Sequence, residues 1–554
     1  MATHTFSPED KQVVDRYKEL LAERGQYDSL WQHISDYIIP RKSDIQAEKG
    51  ADTSDYVEDI FDMTASQANL TLAAGIMTNA IPKTERWFSF SPPEVILNDE
   101  DKRHEAAGWF DEVSAITSKA LQKSNFYEEI HEAMLDRNAM GTCALYIASG
   151  KRQLLNFRSI RVGNFVIEVD SEGYVDTFMR CLNWNARQAE QEFGVEALSE
   201  QMKKDLIKGE VGKKYEIVHV CRPRKDAKPG RHDPENKPIQ SLWLDMDNSH
   251  RLRNSGFDEM PTNVSRFLQW QDRAYGWCPG IQCLPIVRQT NFIEQKMDQL
   301  AEIGVDPRVL VPINMIDEVD YRAGGETPFD PNNPNAKPEE WMTQGRYDIG
   351  KDRVEQKQKF IRECFHNELF QMFQNLDREI TATETMARLE EKLDAFSPTF
   401  GRITSELLDP TLTRVFSILF RAGVFPEPPA EAFIQTLSGF ELPLPEVSYT
   451  SKLALALKAK ENGALNDTIA TLAPLAQMEP SIMDIFDLDT MGRDVAHNFS
   501  LPHRWMKDSE EVAAIRAQRA AAQQAQEEAA LLQAGSQAAA NMGKAPKAMQ
   551  EQMV

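Results

Sequence analysis

The sequence predicts an α+β protein, mainly α, in which a helical first part leads into a β-rich middle and then back to helices. Three observations carry that reading. Apolar residues recur every three or four positions through the first 140 residues, and the interval falls to two from about residue 142. Further on, two long apolar-periodic runs, 283–302 and 351–374, flank a stretch rich in Pro, Gly and Asn. With 554 residues, 41% of them hydrophobic and 27% charged, the chain can bury several cores. Its length suggests about three or four domain-sized units.

Ser7-Pro8-Glu9-Asp10 offers an N-cap, a first-turn proline and an early acid, and Val13, Val14, Tyr17, Leu20 and Leu21 follow at helical spacing. Gly25 predicts a break, after which Leu30, Trp31, Ile34, Tyr37 and Ile38 mark a second helix that Pro40 ends. Residues 41–59 are polar and read as a loop. A helix over about 63–80 stops at Ile81-Pro82, and Trp87-Phe88-Ser89-Phe90 reads as a short strand. Ala106, Trp109, Phe110, Val113, Ile116, Ala120 and Leu121 give another helix, and 125–140 a further one. Cys143, Leu145 and Ile147 then alternate with their neighbours as a strand does. Phe165–Val169 and Tyr174–Cys181 flank Asp170-Ser171-Glu172-Gly173, a hairpin signal, and Tyr215–Cys221, Ser241–Asp245 and Val264–Trp270 add strands.

The runs 283–302 and 351–374 would each be about 30–35 Å long as helices. Between them lie the breakers Gly304 and Asp306-Pro307, the apolar Val309-Leu310-Val311, and a loop from Gly324-Gly325 to Pro338. The pattern fits an antiparallel two-helix stalk with a small tip; it also fits two core helices joined by a long surface loop. Residues 382–408 predict one long helix (Met386, Leu389, Leu393, Phe396), and Leu407-Leu408-Asp409-Pro410 opens another to about 422. Pro426, Pro428 and Pro429 mark a linker. Residues 452–490 read as helical, and an Ala/Gln/Glu-rich helix runs to about 534, with disorder expected beyond Gly535.

Chemistry is sparse. No apolar run reaches the roughly 18–20 residues a bilayer span needs, so no membrane partner is expected. The first residues lack a basic segment followed by an apolar one, which predicts a chain made in the cytosol without a leader. Six cysteines form no framework; Cys278 and Cys283 are close in sequence without zinc-like partners, so free thiols are expected. There is no phosphate-binding glycine loop, no Gly-x-Ser-x-Gly and no His-Glu-x-x-His. Asp245-Met246-Asp247-Asn248-Ser249 resembles the start of a calcium loop, but His250 and Gly256 stand where its glycine and final acid belong. No catalytic residue, metal site or cofactor is assigned. Lys203-Lys204, Lys213-Lys214 and Arg222-Pro223-Arg224-Lys225 read as a solvated basic face. The net charge of −24 opposes tight phosphate binding over the average surface. Either the protein ignores DNA or it handles DNA without gripping it.

Several stretches in order resemble the portal (head-to-tail connector) family of short-tailed, podovirus-type bacteriophages. They are Trp31–Arg41, Ile60–Ala65, Leu72–Ile76, Arg86-Trp87-Phe88, Gly141–Tyr146, Phe157–Ile160 and Tyr275–Gly280. The most specific is Ile380-Thr381-Ala382-Thr383-Glu384-Thr385 with Arg388 and Glu390-Glu391, continued by Arg402–Pro410 and Arg414–Leu419. Trp277 departs from the family, which more often has a small or basic residue there. The series covers roughly residues 10–500.

The resemblance implies a dodecameric ring at one capsid vertex, through which double-stranded DNA is packaged and ejected. It implies a wing over 1–282, a first stem helix over 283–304, a clip over 305–350 and a second stem helix over 351–373. A tunnel loop over 374–381, wing-return helices over 382–450 and a crown over 451–534 would follow, with a tail over 535–554. Gln374, Asn375, Asp377, Arg378 and Glu379 would face the DNA. Arg378 would touch phosphates transiently, or would pair with Asp377 or a neighbour's Glu379. Asp330, Glu339 and Glu340 of the clip would dock partners, or would belong to a solvated loop. The implied partners are other copies of the chain, DNA, major capsid protein, scaffold protein, terminase, tail adaptor and tail proteins; the implied location is the virion, reached from the host cytoplasm. A net negative channel would let a polyanion slide without counterion-release binding. The rival readings are a non-viral helical scaffold or adaptor, which would form no ring, and a nucleic-acid-processing packaging factor, which would need an acid cluster for a metal.

Overall fold

The computed structural model describes residues 6–40, 60–93, 100–150, 153–210, 212–227, 233–271, 273–306, 308–316, 319–320, 327, 337–340, 347–375, 382–436, 439–457, 491–492 and 509–542. It is mixed helix and sheet, mainly helical. The chain forms two compact units. One holds Met1–Phe88, Ala115–Pro426 and Tyr449–Leu472; the other holds Ser89–Ser114, Glu427–Ser448 and Ala473–Val554.

The first unit opens with a single helix, α1 (Pro8–Tyr37), capped by the Ser7 side chain, which accepts from the Asp10 amide. The break expected at Gly25 is not there. Glycine costs a helix interior about 1 kcal/mol, and neighbouring anchors outweigh it. Arg24 donates to the Phe165 carbonyl at 3.1 Å and to Asp28 at 3.1 Å, and Tyr27 stacks on Trp31 with ring centroids 5.4 Å apart. Helix α2 (Thr64–Ala80) leads towards β1 (Phe88–Ser91); α3 (Glu100–Lys123) and α4 (Phe126–Met140) follow.

Two antiparallel sheets make the β-rich middle. Strands β2 (Thr142–Ser149), β3 (Leu155–Ile160) and β9 (Thr262–Arg266) form one, in the order β3-β2-β9. The other runs β4-β5-β6-β7-β8, from Phe165–Val169, Val175–Asn185, Lys214–Pro223, Ile239–Asp245 and His250–Phe257. Its alternation feeds two cores. Val218, Val220, Leu242 and Leu244 pack with Val13, Val14, Tyr17 and Leu20 of α1. Tyr215, Ile217 and Trp243 point the other way, onto the short helices α5 (Ala186–Phe193) and α6 (Glu200–Lys208). The sequence reading omitted α5, α6 and β8. The acidic run before β8 closes a hairpin: Asp245 accepts from the Asn248 amide at 3.1 Å, Asp247 accepts from the Glu216 amide at 2.8 Å, and Ser249 turns with φ 49°.

Within the second core, His219 is fully buried and stacked on Trp243 with centroids 3.8 Å apart. Its Nδ1 accepts from Arg180 Nε at 3.1 Å, so the ring proton sits on Nε2, which faces Ser241 Oγ at 3.0 Å. Burial, then the charges of Arg180 and Arg253, hold the imidazole pKa well below its ordinary value. All six cysteines are free. Burial raises the Cys143, Cys221 and Cys278 thiols to about 12, which makes them inert packing groups.

In the second unit, the chain around β1 pairs with β14 (Glu446–Tyr449), β12 (Ile434–Thr436) pairs with β13 (Gly439–Glu441), and the Phe90 amide donates to Ser114 Oγ at 2.8 Å. Helix α12 (Ser509–Met542) passes Gly535, so the disorder expected beyond that residue does not begin there. Most of 452–490 lies outside the described residues.

A histidine held neutral when folded and free to protonate when unfolded stabilises the protein only above its ordinary titration range. Unfolding free energy should therefore fall as pH drops from 7.5 to 5, through about 6.5. His219→Gln should flatten part of that slope. Urea titrations at each pH check this; an unchanged slope in the variant would remove His219 from the cause.

Candidate functional site

The stalk is built on a junction where three backbones touch. Helix α4 ends at Gly141, whose φ of 86° favours glycine and whose amide donates to the Arg137 carbonyl. A Cβ there would stand 2.2 Å from the Gly276 carbonyl oxygen, and one on Gly280 2.2 Å from the Ala139 oxygen. Gly276 N donates to Thr142 Oγ1 at 3.0 Å. Beneath lies Arg137, fully buried, donating to Ser265 Oγ and the Arg266 and Thr399 carbonyls at 3.0–3.2 Å, 5.0 Å from the Phe267 ring centroid. Burial lowers its pKa to about 10, so it stays a cation at neutral pH. Trp277 meets Trp270 edge-on at 4.8 Å.

From this junction rises α7 (Pro279–Val305), longer at both ends than the run 283–302 that predicted it. Opposite stands α8 (Tyr347–Cys364). Gly350 faces Met297, where an added Cβ would lie 3.0 Å from the sulfur. Lys357 Nζ donates to Gln289 Oε1 at 2.5 Å. As the number on α8 rises from 350 to 357, that on α7 falls from 297 to 289, so the pair is antiparallel over about 11 Å between these contacts. The segment before α2 clamps it: Asn291 Oδ1 accepts from the Phe61 and Asp62 amides at 2.7 and 3.2 Å, and Asp62 Oδ1 accepts from Gln358 at 3.2 Å. Burial, then Asp62 and Asp298, raise the Glu294 carboxyl.

Residues between the helices form the tip. Strand β10 (Val309–Leu310) pairs antiparallel with β11 (Glu339–Glu340), Val309 opposite Glu340 and Leu310 opposite Glu339. Val305 and Ile313 are 88% and 90% exposed, and Leu310, Ile316, Phe292 and Tyr347 also face outward. The isolated chain leaves these apolar side chains in water.

The second run, predicted as one helix over 351–374, is broken. Helix α8 stops at Cys364, His366 adopts φ 52°, and α9 (Asn367–Asn375) restarts. Buried Phe365, Leu369 and Phe370 fix the break against α10 (Ala382–Ile403), where the Phe370 and His366 rings meet Phe396 and Lys392 pairs with Glu368. Burial, then Lys392, lower the His366 pKa. Helix α10 ends sooner than the predicted 408 because a π turn (Thr404–Leu408) joins it to α11 (Asp409–Arg421). The turn places Glu406 on Arg266, accepting from its amide at 2.7 Å and from Nη2 at 2.9 Å.

Of the DNA-facing candidates, Gln374 and Asn375 close α9, while Asp377, Arg378 and Glu379 lie outside the described residues. Of the docking candidates, Glu339 and Glu340 stand together on β11 and Glu339 is exposed; Asp330 lies outside the described residues. Sequence reasoning noted Leu310 within the apolar Val309-Leu310-Val311 but missed the exposed Ile313 and Ile316, because isolated aliphatics in a loop carry no periodic signal. Among the described residues, no three His, Cys, Asp or Glu side chains group to hold a metal ion, and no helix is long and apolar enough to cross a membrane.

Comparison with known proteins decides what this arrangement belongs to. A family model described as bacteriophage head to tail connecting protein matches residues 10–506. The chain belongs to that family. It is 27% identical over 543 residues to the probable portal protein of Bordetella phage BPP-1, covering 97% of this chain and 95% of that one. It is 26% identical over 543 residues to the portal protein of Salmonella phage epsilon15, covering 96% and 95%. Both are podovirus portals, as the ordered motifs implied, and the reading as a non-viral scaffold is set aside.

The register gives a direct test. Met297→Cys combined with Gly350→Cys should form an intrachain disulfide on mild oxidation, read by peptide mass, while Met297→Cys with Lys357→Cys should not; the reverse pattern would refute the pairing. Gly280→Val should lower stability by about 1–3 kcal/mol through overpacking, read by urea denaturation; an unchanged midpoint would mean that the junction yields.

Proposed function

We propose that the chain assembles as a ring of twelve at one capsid vertex, with double-stranded DNA passing through the centre during packaging and ejection. The observation that carries the reading is the antiparallel stalk with a hairpin tip, in a chain that matches phage connectors along nearly its whole length. In this reading 279–305 and 347–364 are the stem and the residues between them the clip. The segment 374–381, which joins α9 to α10, is the tunnel loop, with Gln374, Asn375, Asp377, Arg378 and Glu379 towards DNA. Closed symmetry fits exposed apolar side chains on the stalk, since each face of a ring subunit meets a neighbour. Phe292, 59% exposed, is one such contact candidate.

A channel for a polyanion must avoid capture. Twelve copies at −24 make a strongly acidic assembly, and few phosphate contacts mean little counterion release and weak, salt-insensitive association. Work on the DNA belongs to a separate ATPase, the terminase. The clip, which carries Glu339, Glu340 and Asp330 in its sequence and the exposed Leu310 and Ile313, is its docking surface and later that of the tail adaptor. Capsid and scaffold contacts, residence in the virion and assembly in the host cytoplasm complete the reading, and the chain itself performs no catalytic step. The alternative, a packaging factor that processes nucleic acid, predicts Mg²⁺-dependent DNA cleavage by the purified protein.

Electron microscopy of the purified protein, counting subunits in end-on views, tests the assembly. Rings of about twelve with a central hole are expected; monomers or dimers at all salt and protein concentrations would overturn it. Removing residues from 508 onward should leave the rings intact, because stem and wing contacts lie upstream. Monomers after truncation would assign assembly to α12 instead.

A further inference from the structure

The first unit carries an uncovered apolar groove away from the stalk. Ile116 and Ala120 of α3, Leu155 of β3 and Leu419 of α11 form its floor, and Leu154 and Val424, 39% and 40% exposed, stand on its rim. Its volume is about 430 Å³, room for two or three aliphatic side chains by the scale of small-ligand pockets. Lys119 and Lys123 stand beside it, one turn apart on α3, and neither has a carboxylate within ion-pair distance among the described residues. An apolar floor with two unpaired cations at one edge fits an aliphatic segment flanked by acids.

The chain contains such a segment. Val95-Ile96-Leu97 is a run of three aliphatics bracketed by Glu94 on one side and Asp99-Glu100-Asp101 on the other. Residues 94–99 lie outside the described residues. They cannot fill the groove of their own chain. Glu100 begins α3, and Ile116, the nearest groove residue on that helix, is sixteen residues along it, about 24 Å away. Ile96 is four residues from Glu100 and reaches at most about 14 Å. We infer that the groove formed by α3, β3 and the end of α11 receives Val95–Leu97 of a second copy of this chain, with Lys119 and Lys123 pairing with its flanking acids. The inference rests on the ring reading and adds to it an interface distinct from the stalk: a head-to-tail contact, since groove and segment lie on different parts of the chain, which is the kind that closes into a ring.

The test uses full-length chains. Tagged Leu154→Cys and untagged Ile96→Cys chains are co-expressed, assembled and oxidised gently; the native cysteines are buried or half-buried. The expected product is a covalent dimer of one tagged and one untagged chain, absent when either variant is alone. Separately, Lys119→Glu with Lys123→Glu should raise the concentration needed for half-assembly by about tenfold or more. Adding Glu94→Lys and Asp99→Lys to the same chain should restore it. Rings that form normally but give no mixed cross-link and ignore the charge reversal would overturn this interface and leave the ring reading standing. Unmodified protein that forms no rings, together with cysteine variants that give no mixed cross-link, would sink both.

Discussion

The close contact at Gly141, Gly276 and Gly280 is the constraint on which the rest depends. Glycines bring the end of α4, the start of β2 and the start of α7 within backbone distance, leaving no volume for a side chain between them. The direction in which α7 leaves the β-rich core is thereby fixed by backbone-on-backbone contact and not by adjustable side-chain packing. Arg137 locks the same point from below by binding β9 and α10 at once, and Glu406 repeats the linkage through Arg266. A lever is only as stiff as its mount. A stalk mounted through backbone contacts and buried ionic hydrogen bonds transmits load to the core with little compliance.

The handling of charge follows a related logic. Arg24, Arg137, Arg180, Arg266 and Arg414 are all nearly or fully buried. Their guanidinium groups serve as multi-donor braces for carbonyls and loops: Arg414 on the Ile147 and Glu259 carbonyls, Arg24 on Phe165, Arg266 on Gly173. These five of the 33 arginines are withdrawn from the exterior of a chain whose net charge is already −24. In the proposed channel this division of labour has value, because the same residue type that would brake DNA outside stiffens the wall within.

How much was legible depends on whether local pattern or tertiary contact decided each element. The helices α2, α3 and α4, the β4–β5 hairpin and the pairing of α7 with α8 were readable, since periodicity, turn residues and breakers agreed. Gly25 misled because its cost is small beside the aromatic and arginine contacts around it. The break at His366 was invisible: nothing in Cys364-Phe365-His366-Asn367 is a helix breaker, and only tertiary packing imposes it, with Phe365 and Leu369 buried and the His366 and Phe370 rings against Phe396 of α10. The π turn after Ile403 likewise exists to aim Glu406, a tertiary demand. At the site, the acidic pair Glu339 and Glu340 was chosen for charge, whereas the exposure of Ile313 and Leu310 beside them became apparent only in three dimensions.

These misses share a cause that bears on mechanism. The strained His366 and the π turn flank the same segment, the one that carries α9 into α10 across 376–381. A non-glycine residue in the left-handed region costs about 1–2 kcal/mol, and π turns are poorer in hydrogen-bond geometry than the helix they interrupt. Sequences keep such features where the surrounding packing demands them. Here the demand is that α9 packs on α10, with the His366 and Phe370 rings edge-on to Phe396. In the proposed ring the link between α9 and α10 faces the DNA. Weak chemistry in that link suits the passage of a polyanion, which a wall rich in phosphate contacts would hold back.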